Sequence, residues 1–88
     1  MKPVQFEANA YQDYIDWAKE NKEIFDKINE LIIDIDRNLF KGLGKPEPLK
    51  GNFQGYWSRR ITDAHRLIYR IEKNVIYIYS CHGHYLKR

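Results

Sequence analysis

A single cysteine, Cys81, leaves the chain no internal disulfide, and cysteine used so sparingly points to a reducing cytosol. No C-x-x-C pair occurs, and no two histidines stand at helical i, i+4 spacing, so the usual zinc frameworks are missing. No metal or other cofactor is expected. The opening "MKPVQFEANA" has no apolar h-region and does not read as a signal peptide. Uninterrupted apolar runs fall far short of the ~20 residues that a membrane span needs. Repeats, low-complexity tracts and linkers are absent, and only three prolines occur, two of them in "GLGKPEPLKG" (42–51). The expectation is a soluble cytoplasmic protein of one domain, residues 1–88, with no membrane partner.

Aromatic residues, by contrast, are plentiful. The 88-residue chain is 43% hydrophobic and 15% aromatic, with seven Tyr and two Trp, enough for one packed core. Charge is unevenly spread. Residues 1–40 carry five Lys/Arg against nine Asp/Glu, a net of −4, whereas residues 41–88 carry ten against three, a net of +7. A basic half on a small domain is an electrostatic footprint for a polyanion.

"PVQFE" (3–7) alternates as a short strand does. Asn9, with Gln12 three residues on, resembles a helix start, and Tyr11, Tyr14, Ile15 and Ala18 follow at helical spacing over 9–20. Asn21 offers a second cap. Ile24, Phe25, Ile28, Leu31, Ile32, Ile35 and Leu39 then form one apolar stripe, predicting a helix over 22–39. Asp26, Lys27, Glu30 and Asp34 fall on its solvated side. Glycines and prolines end that helix, and "YWSRRIT" (56–62), "HRLIYRI" (65–71) and "VIYIYSC" (75–81) follow as strands. Their short connectors imply an antiparallel meander. The predicted class is α+β, ordered β-α-α-β-β-β, with both helices on one face of an antiparallel sheet. Strand parity puts Leu67, Tyr69 and Ile71 toward the helices and Arg66 and Arg70 on the open face. His65 goes inward or to the rim, as a hydrogen-bonded structural histidine. Cys81, ending an apolar strand, suits a buried thiol.

Three groups of residues have chemistry to offer. Glu47 stands in the proline-rich loop between Lys45 and Lys50. Arginines cluster at "SRR" (58–60) and Arg66. The tail "CHGHY" holds His82, His84 and Tyr85. Cleaving RNA without a metal needs a base for the 2′-hydroxyl, cations for the phosphorane and an acid for the leaving 5′-oxygen. A carboxylate, arginines and a histidine supply those roles, and lysines beside Glu47 favour its ionised form. Tyr85 and Tyr56 are candidates for stacking an unpaired base. Read by themselves, the same residues also fit a surface salt bridge, sheet-edge solubility and a frayed terminus.

"KINELI", "GKPEPLK", "YWSRRIT", "HRLIY" and the closing "HY" together resemble the YoeB/Txe family of bacterial toxins, in family order and across nearly the whole chain. That family belongs to the RelE-like superfamily of ribosome-dependent mRNA interferases, with a microbial-RNase-type fold. The resemblance implies a type II toxin that cleaves mRNA in the ribosomal A site. It implies Glu47 as general base, Arg66 as transition-state stabiliser, His84 as general acid, and Tyr85 as orienting either the acid or the nucleotide. Lys45, Lys50, Arg59 and Arg60 would form the RNA surface, although Arg59 points opposite to Arg60. Tyr56 and Trp57 match aromatic motif positions, read first as packing.

The implied partners are a YefM/Axe-like antitoxin, the ribosome with its mRNA, operator DNA through the antitoxin alone, and a second copy in a homodimer. Alternatives of the same fold are a translation inhibitor that binds without cutting, or a co-repressor of the antitoxin. This chain departs from the family pattern in Gly83, where bulkier residues are common and which is expected to loosen the acid. It departs again in Leu86, Lys87 and Arg88 beyond the "HY" pair, which rule out a catalytic carboxyl terminus at Tyr85.

Overall fold

A computed structural model describes residues 1–83. His84, Tyr85 and the three residues after them lie outside the described residues. Strand β1 (Val4–Phe6) leads into helices α1 (Ala8–Glu20) and α2 (Lys22–Arg37). Strands β2 (Glu47–Pro48), β3 (Trp57–Arg60), β4 (Arg66–Glu72) and β5 (Val75–Ser80) follow, with a 3-10 turn at Gly51–Phe53 between β2 and β3. Among the described residues no helix is long and apolar enough to cross a membrane.

One residue joins the helices. The Asn21 backbone N–H closes α1 on the Trp17 carbonyl, and its side chain accepts from Ile24 N to cap α2. No spacer separates the two axes, so the helices must turn sharply against each other. The apolar stripe of α2 buries Ile28, Leu31, Ile32 and Ile35 against Leu67, Tyr69, Ile76 and Ile78 of the sheet. At about 1.5–3 kcal/mol for each buried aliphatic chain, this face is the main cohesive surface. In α1 the inward residues are Ala10 and Trp17, with Tyr14 partly buried, while Tyr11 is 55% exposed. The α1 stripe therefore lies one position round from the expected one. Its start is also earlier, at Ala8 with Glu7 as an uncapped N-cap.

The meander is antiparallel as predicted, and both helices cover one face. The sheet as a whole is mixed, with five strands in the order β1-β5-β4-β3-β2. β1 pairs parallel with β5, Val4 opposite Ile76, while Glu47–Pro48 adds a short antiparallel strand beside β3. Alternation identifies a strand but not its neighbour, which is why the β1 partner was not legible. Lys2 N donates to Asp36 Oδ1 at 2.7 Å and ties that edge to α2. Lys73 and Asn74 both take positive φ, 50° and 66°, between β4 and β5. Such a two-residue turn matches the right-handed twist of the flanking strands.

Candidate active site

Loop 38–46 connects α2 to β2 by wrapping around one buried guanidinium. Arg59 has no exposed surface, and all five of its N–H groups are donated. Nε donates to the Tyr69 hydroxyl at 3.2 Å, and Nη1 to Asp34 Oδ2 and to the Leu43 carbonyl at 3.1 Å. Nη2 donates to the carbonyls of Asn38 at 2.7 Å and Lys41 at 2.8 Å. Asp34 also accepts from Leu43 N at 2.9 Å; that bond first, and Arg59 second, hold its carboxyl below the usual aspartate range. Two expectations are corrected here. Arg59 is enclosed by the loop and leaves the RNA surface, and Asp34 serves as its counter-ion rather than as solvated helix surface.

The loop's glycines are required by this wrapping. A Cβ on Gly42, at φ +113°, would stand 2.2 Å from Asp34 Oδ2. One on Gly44, at φ +78°, would press on the Arg60 carbonyl and on Leu31 at 3.0 Å. Only glycine lets the backbone approach so closely in these conformations. The Gly44 carbonyl then accepts from Arg60 N at 2.6 Å, which fixes the loop to β3 just before Lys45 and Glu47.

Register sets the geometry of the open face. Glu47 lies opposite Ser58, Ser58 opposite Ile68, and Arg60 opposite Arg66. With strands about 4.8 Å apart and a rise of about 3.4 Å per residue, Cα of Arg60 is about 8 Å from Cα of Glu47, and Cα of Arg66 about 12 Å. Three charged residues thus share one face, with their Cα atoms within about 12 Å of one another. Like charges directly opposite each other in a sheet are unfavourable unless something compensates. Arg66 Nη1 is steadied by the carbonyls of Thr62 at 2.6 Å, Asp63 at 3.1 Å and His65 at 3.2 Å, all in the β3–β4 turn. Glu47, Lys45 and Lys50 are exposed, and among the described residues the Glu47 carboxylate forms no ion pair with either lysine.

The far end of β5 is pinned by aromatic packing. Trp17 Nε1 donates to the Cys81 carbonyl at 2.8 Å, and the indole stacks on His82 and meets His65 edge-on. Gly83 is held from both sides. Its N–H donates to His65 Nδ1 at 2.9 Å, and its carbonyl accepts from Arg66 N at 3.0 Å. Gly83 itself is fastened beside Arg66. Its φ of +71° suits glycine there. The loosening expected of the acid concerns His84, which lies with its neighbour Tyr85 outside the described residues.

These observations place His65 as a structural histidine, as its strand position suggested. Accepting at Nδ1 requires the neutral ring, and burial first, then the charges of His82 and Arg66, lower its pKa. Above about pH 6.5, the ordinary histidine value, folded and unfolded chains both hold it neutral and its contribution to stability is complete. Below that value the unfolded chain takes up the proton first, and stability falls. Melting temperature is therefore expected to drop between pH 7 and pH 5, with a shallower drop in His65→Gln. Identical pH slopes for the two proteins in circular-dichroism melts would contradict this.

A family model for the YoeB-like toxin of bacterial type II toxin–antitoxin systems matches residues 6–85. The chain belongs to this family. It is 50% identical over 76 residues to Toxin YoeB of Escherichia coli K12, covering 86% of this chain and 90% of that one. A YoeB/ParE toxin from Agrobacterium tumefaciens superposes with TM-score 0.93 at 41% identity, over 94% of this chain and 99% of that one. A YoeB-YefM complex from Staphylococcus aureus gives TM-score 0.90 at 46% identity, over 97% and 99% of the two chains. A YoeB dimer from the same organism gives the same TM-score and identity over 96% and 98%. The shared architecture covers the loop, the meander and the start of the tail, which are the parts that build the open face of this YoeB-like chain.

Sequence reasoning missed two features of the site. Trp17, in the helix-side core, holds Cys81 and His82, yet the α1 stripe was placed without it. Tyr77 and Tyr79 alternate with the core residues Ile76 and Ile78, and so belong to the open face along with Tyr56 and Phe53. Parity applied to β5 would have found them.

Proposed function

We propose that this YoeB-like toxin is a metal-independent, ribosome-dependent endoribonuclease whose active site is the Glu47 edge of the open sheet face. The observation that carries the reading is the opposed pair Arg60 and Arg66 beside Glu47: two cations on one face invite an anion between them. Glu47 takes the proton of the 2′-hydroxyl, and the 2′-oxygen attacks the adjacent phosphorus. Arg66, Arg60 and Lys50 meet the charge that develops on the phosphorane, with Lys45 at the approach. His84 protonates the departing 5′-oxygen, and Tyr85 orients that acid or the nucleotide. The products are a 2′,3′-cyclic phosphate and a 5′-hydroxyl.

An exposed base and a shallow face cannot align an RNA strand by themselves, which supports a role for the ribosome in positioning mRNA. The basic half also suits an acidic antitoxin segment. The YoeB-YefM complex and the YoeB dimer support a YefM-type antitoxin and a second copy as partners here, with operator DNA reached through the antitoxin. The cytoplasm is where these partners meet.

Primer extension on a translated mRNA tests the reading. Stops within the A-site codon are expected with ribosomes and none without them; stops that do not depend on translation would overturn it. The tail is tested by two substitutions. His84→Ala is expected to lower the single-turnover rate on saturated ribosomes by about 10²-fold. His82→Ala is expected to change it only a few-fold, because that ring packs on Trp17. A larger loss in His82→Ala would show that the wrong histidine has been assigned.

A further inference from the structure

Past the Arg60–Arg66 pair the open face turns aromatic. Arg70 is four residues along β4 from Arg66, on the same face and about 14 Å away. It lies opposite Tyr77, with Cζ 4.1 Å from that ring's centroid and 5.9 Å from that of Tyr56. Glu72 pairs with Nη1, and 26% of the Arg70 side chain is accessible. Phe53, Tyr56 and Tyr79 stand beside it as three rings in mutual edge-to-face contact, with centroids 5.4–5.8 Å apart. The bulge that shifts β5 pairing at Ile68/Tyr69 leaves Tyr79 without a β4 partner, which frees it to meet those loop rings. None of these five side chains belongs to the helix-side core.

We propose that Arg70 and Tyr77, walled by Tyr56, form a stacking subsite for an unpaired nucleobase of the RNA that passes Glu47. This rests on the endoribonuclease reading and adds a base-binding element to it. A guanidinium lying against a tyrosine ring presents a flat, cationic, weakly hydrated plane, the kind of surface on which an unpaired base stacks. By register the subsite lies on the same face as Glu47, Arg60 and Arg66, with the buried Ile68 between Arg66 and Arg70, so a strand of several nucleotides is needed to reach both. A nucleic-acid strand also fits the charge: residues 41–88 carry a net +7. Stacking tolerates any base, so the subsite adds grip without reading sequence.

The test uses the full chain carrying Glu47→Gln, which keeps RNA intact, at millimolar concentrations in NMR. Hexaribonucleotides blocked by 2′-deoxy substitution are titrated either fully based or with one abasic position each. In the parent, the Tyr77 ring and Arg70 Nε–H resonances are expected to shift on binding. Removing the base at one or two positions should weaken binding about 10-fold, the scale of stacking one base on an aromatic platform. With Tyr77→Leu and Arg70→Gln added, the same base removal should cost less than about 2-fold. The salt slope should fall by no more than about 0.7, the share of one phosphate. Undiminished base dependence in that variant, or RNA binding that leaves Tyr77 unshifted and indifferent to base removal, would overturn the subsite. So would the absence of any shift, and a ledge that responds only to a protein partner would then account for the rings. Cleavage of translated mRNA by the unmodified chain is scored in parallel. Cleavage without base dependence discards the subsite alone, and no cleavage together with no binding discards both readings.

Discussion

Glu47→Gln is expected to lower the single-turnover rate of mRNA cleavage on programmed ribosomes by about 10²-fold or more. Fold and ribosome occupancy should be unchanged. The amide keeps the shape of the carboxylate but cannot accept the 2′-hydroxyl proton. Glu47 is exposed and forms no ion pair among the described residues, so the substitution strands no partner among them. Its backbone is held by pairing with Ser58 and by the Gly44–Arg60 bond, neither of which involves the side chain. A normal circular-dichroism spectrum with an unchanged rate would remove Glu47 from the chemistry.

Arg59→Ala is expected to be the most destabilising single change, by about 3–5 kcal/mol, as when one partner of a buried ion pair is removed. Five donated N–H groups vanish at once. The Asp34 carboxylate, the Tyr69 hydroxyl and the carbonyls of Asn38, Lys41 and Leu43 all lose a donor. For a domain of this size, that loss lowers the melting temperature by at least about 12 °C. Arg59→Lys should recover only part of it, because one ammonium with three N–H groups cannot span the same acceptors. Cleavage should also fall in the folded fraction of Arg59→Lys, since the loop delivering Glu47 loses its anchor. A melting-temperature change under about 3 °C for Arg59→Ala would show that the loop holds without it.

Much of this arrangement could be read from residue patterns. The α2 stripe, the Asn21 cap, the antiparallel meander, the open-face position of Arg66 and the structural role of His65 all follow from local periodicity. What escaped was non-local. Asp34 sits on the polar side of α2 by spacing, and nothing in the helix reveals an arginine arriving from β3, twenty-five residues away, to meet it. "GLGKPEPLKG" announced a loop, but its glycines are explained by the Arg59–Asp34 pair they must pass, and this pair exists only after folding. The parallel partner of β1 depends on where two helices return the chain. Arg60 and Glu47 were legible as charges; their common face required the register of β2, a strand of two residues.

The mechanism proposed for this face is attack of a 2′-hydroxyl on the neighbouring phosphate. It is tested most directly by an mRNA carrying a single 2′-deoxynucleotide on the 5′ side of the scissile phosphate. Programmed ribosomes are saturated with the toxin, and cleavage and occupancy are measured together. Loss of cleavage at that phosphate, with occupancy within a few-fold of the all-ribose mRNA, is the predicted result. Cleavage persisting at the deoxy position would mean that another nucleophile attacks, and Glu47 could not be the base for a 2′-hydroxyl.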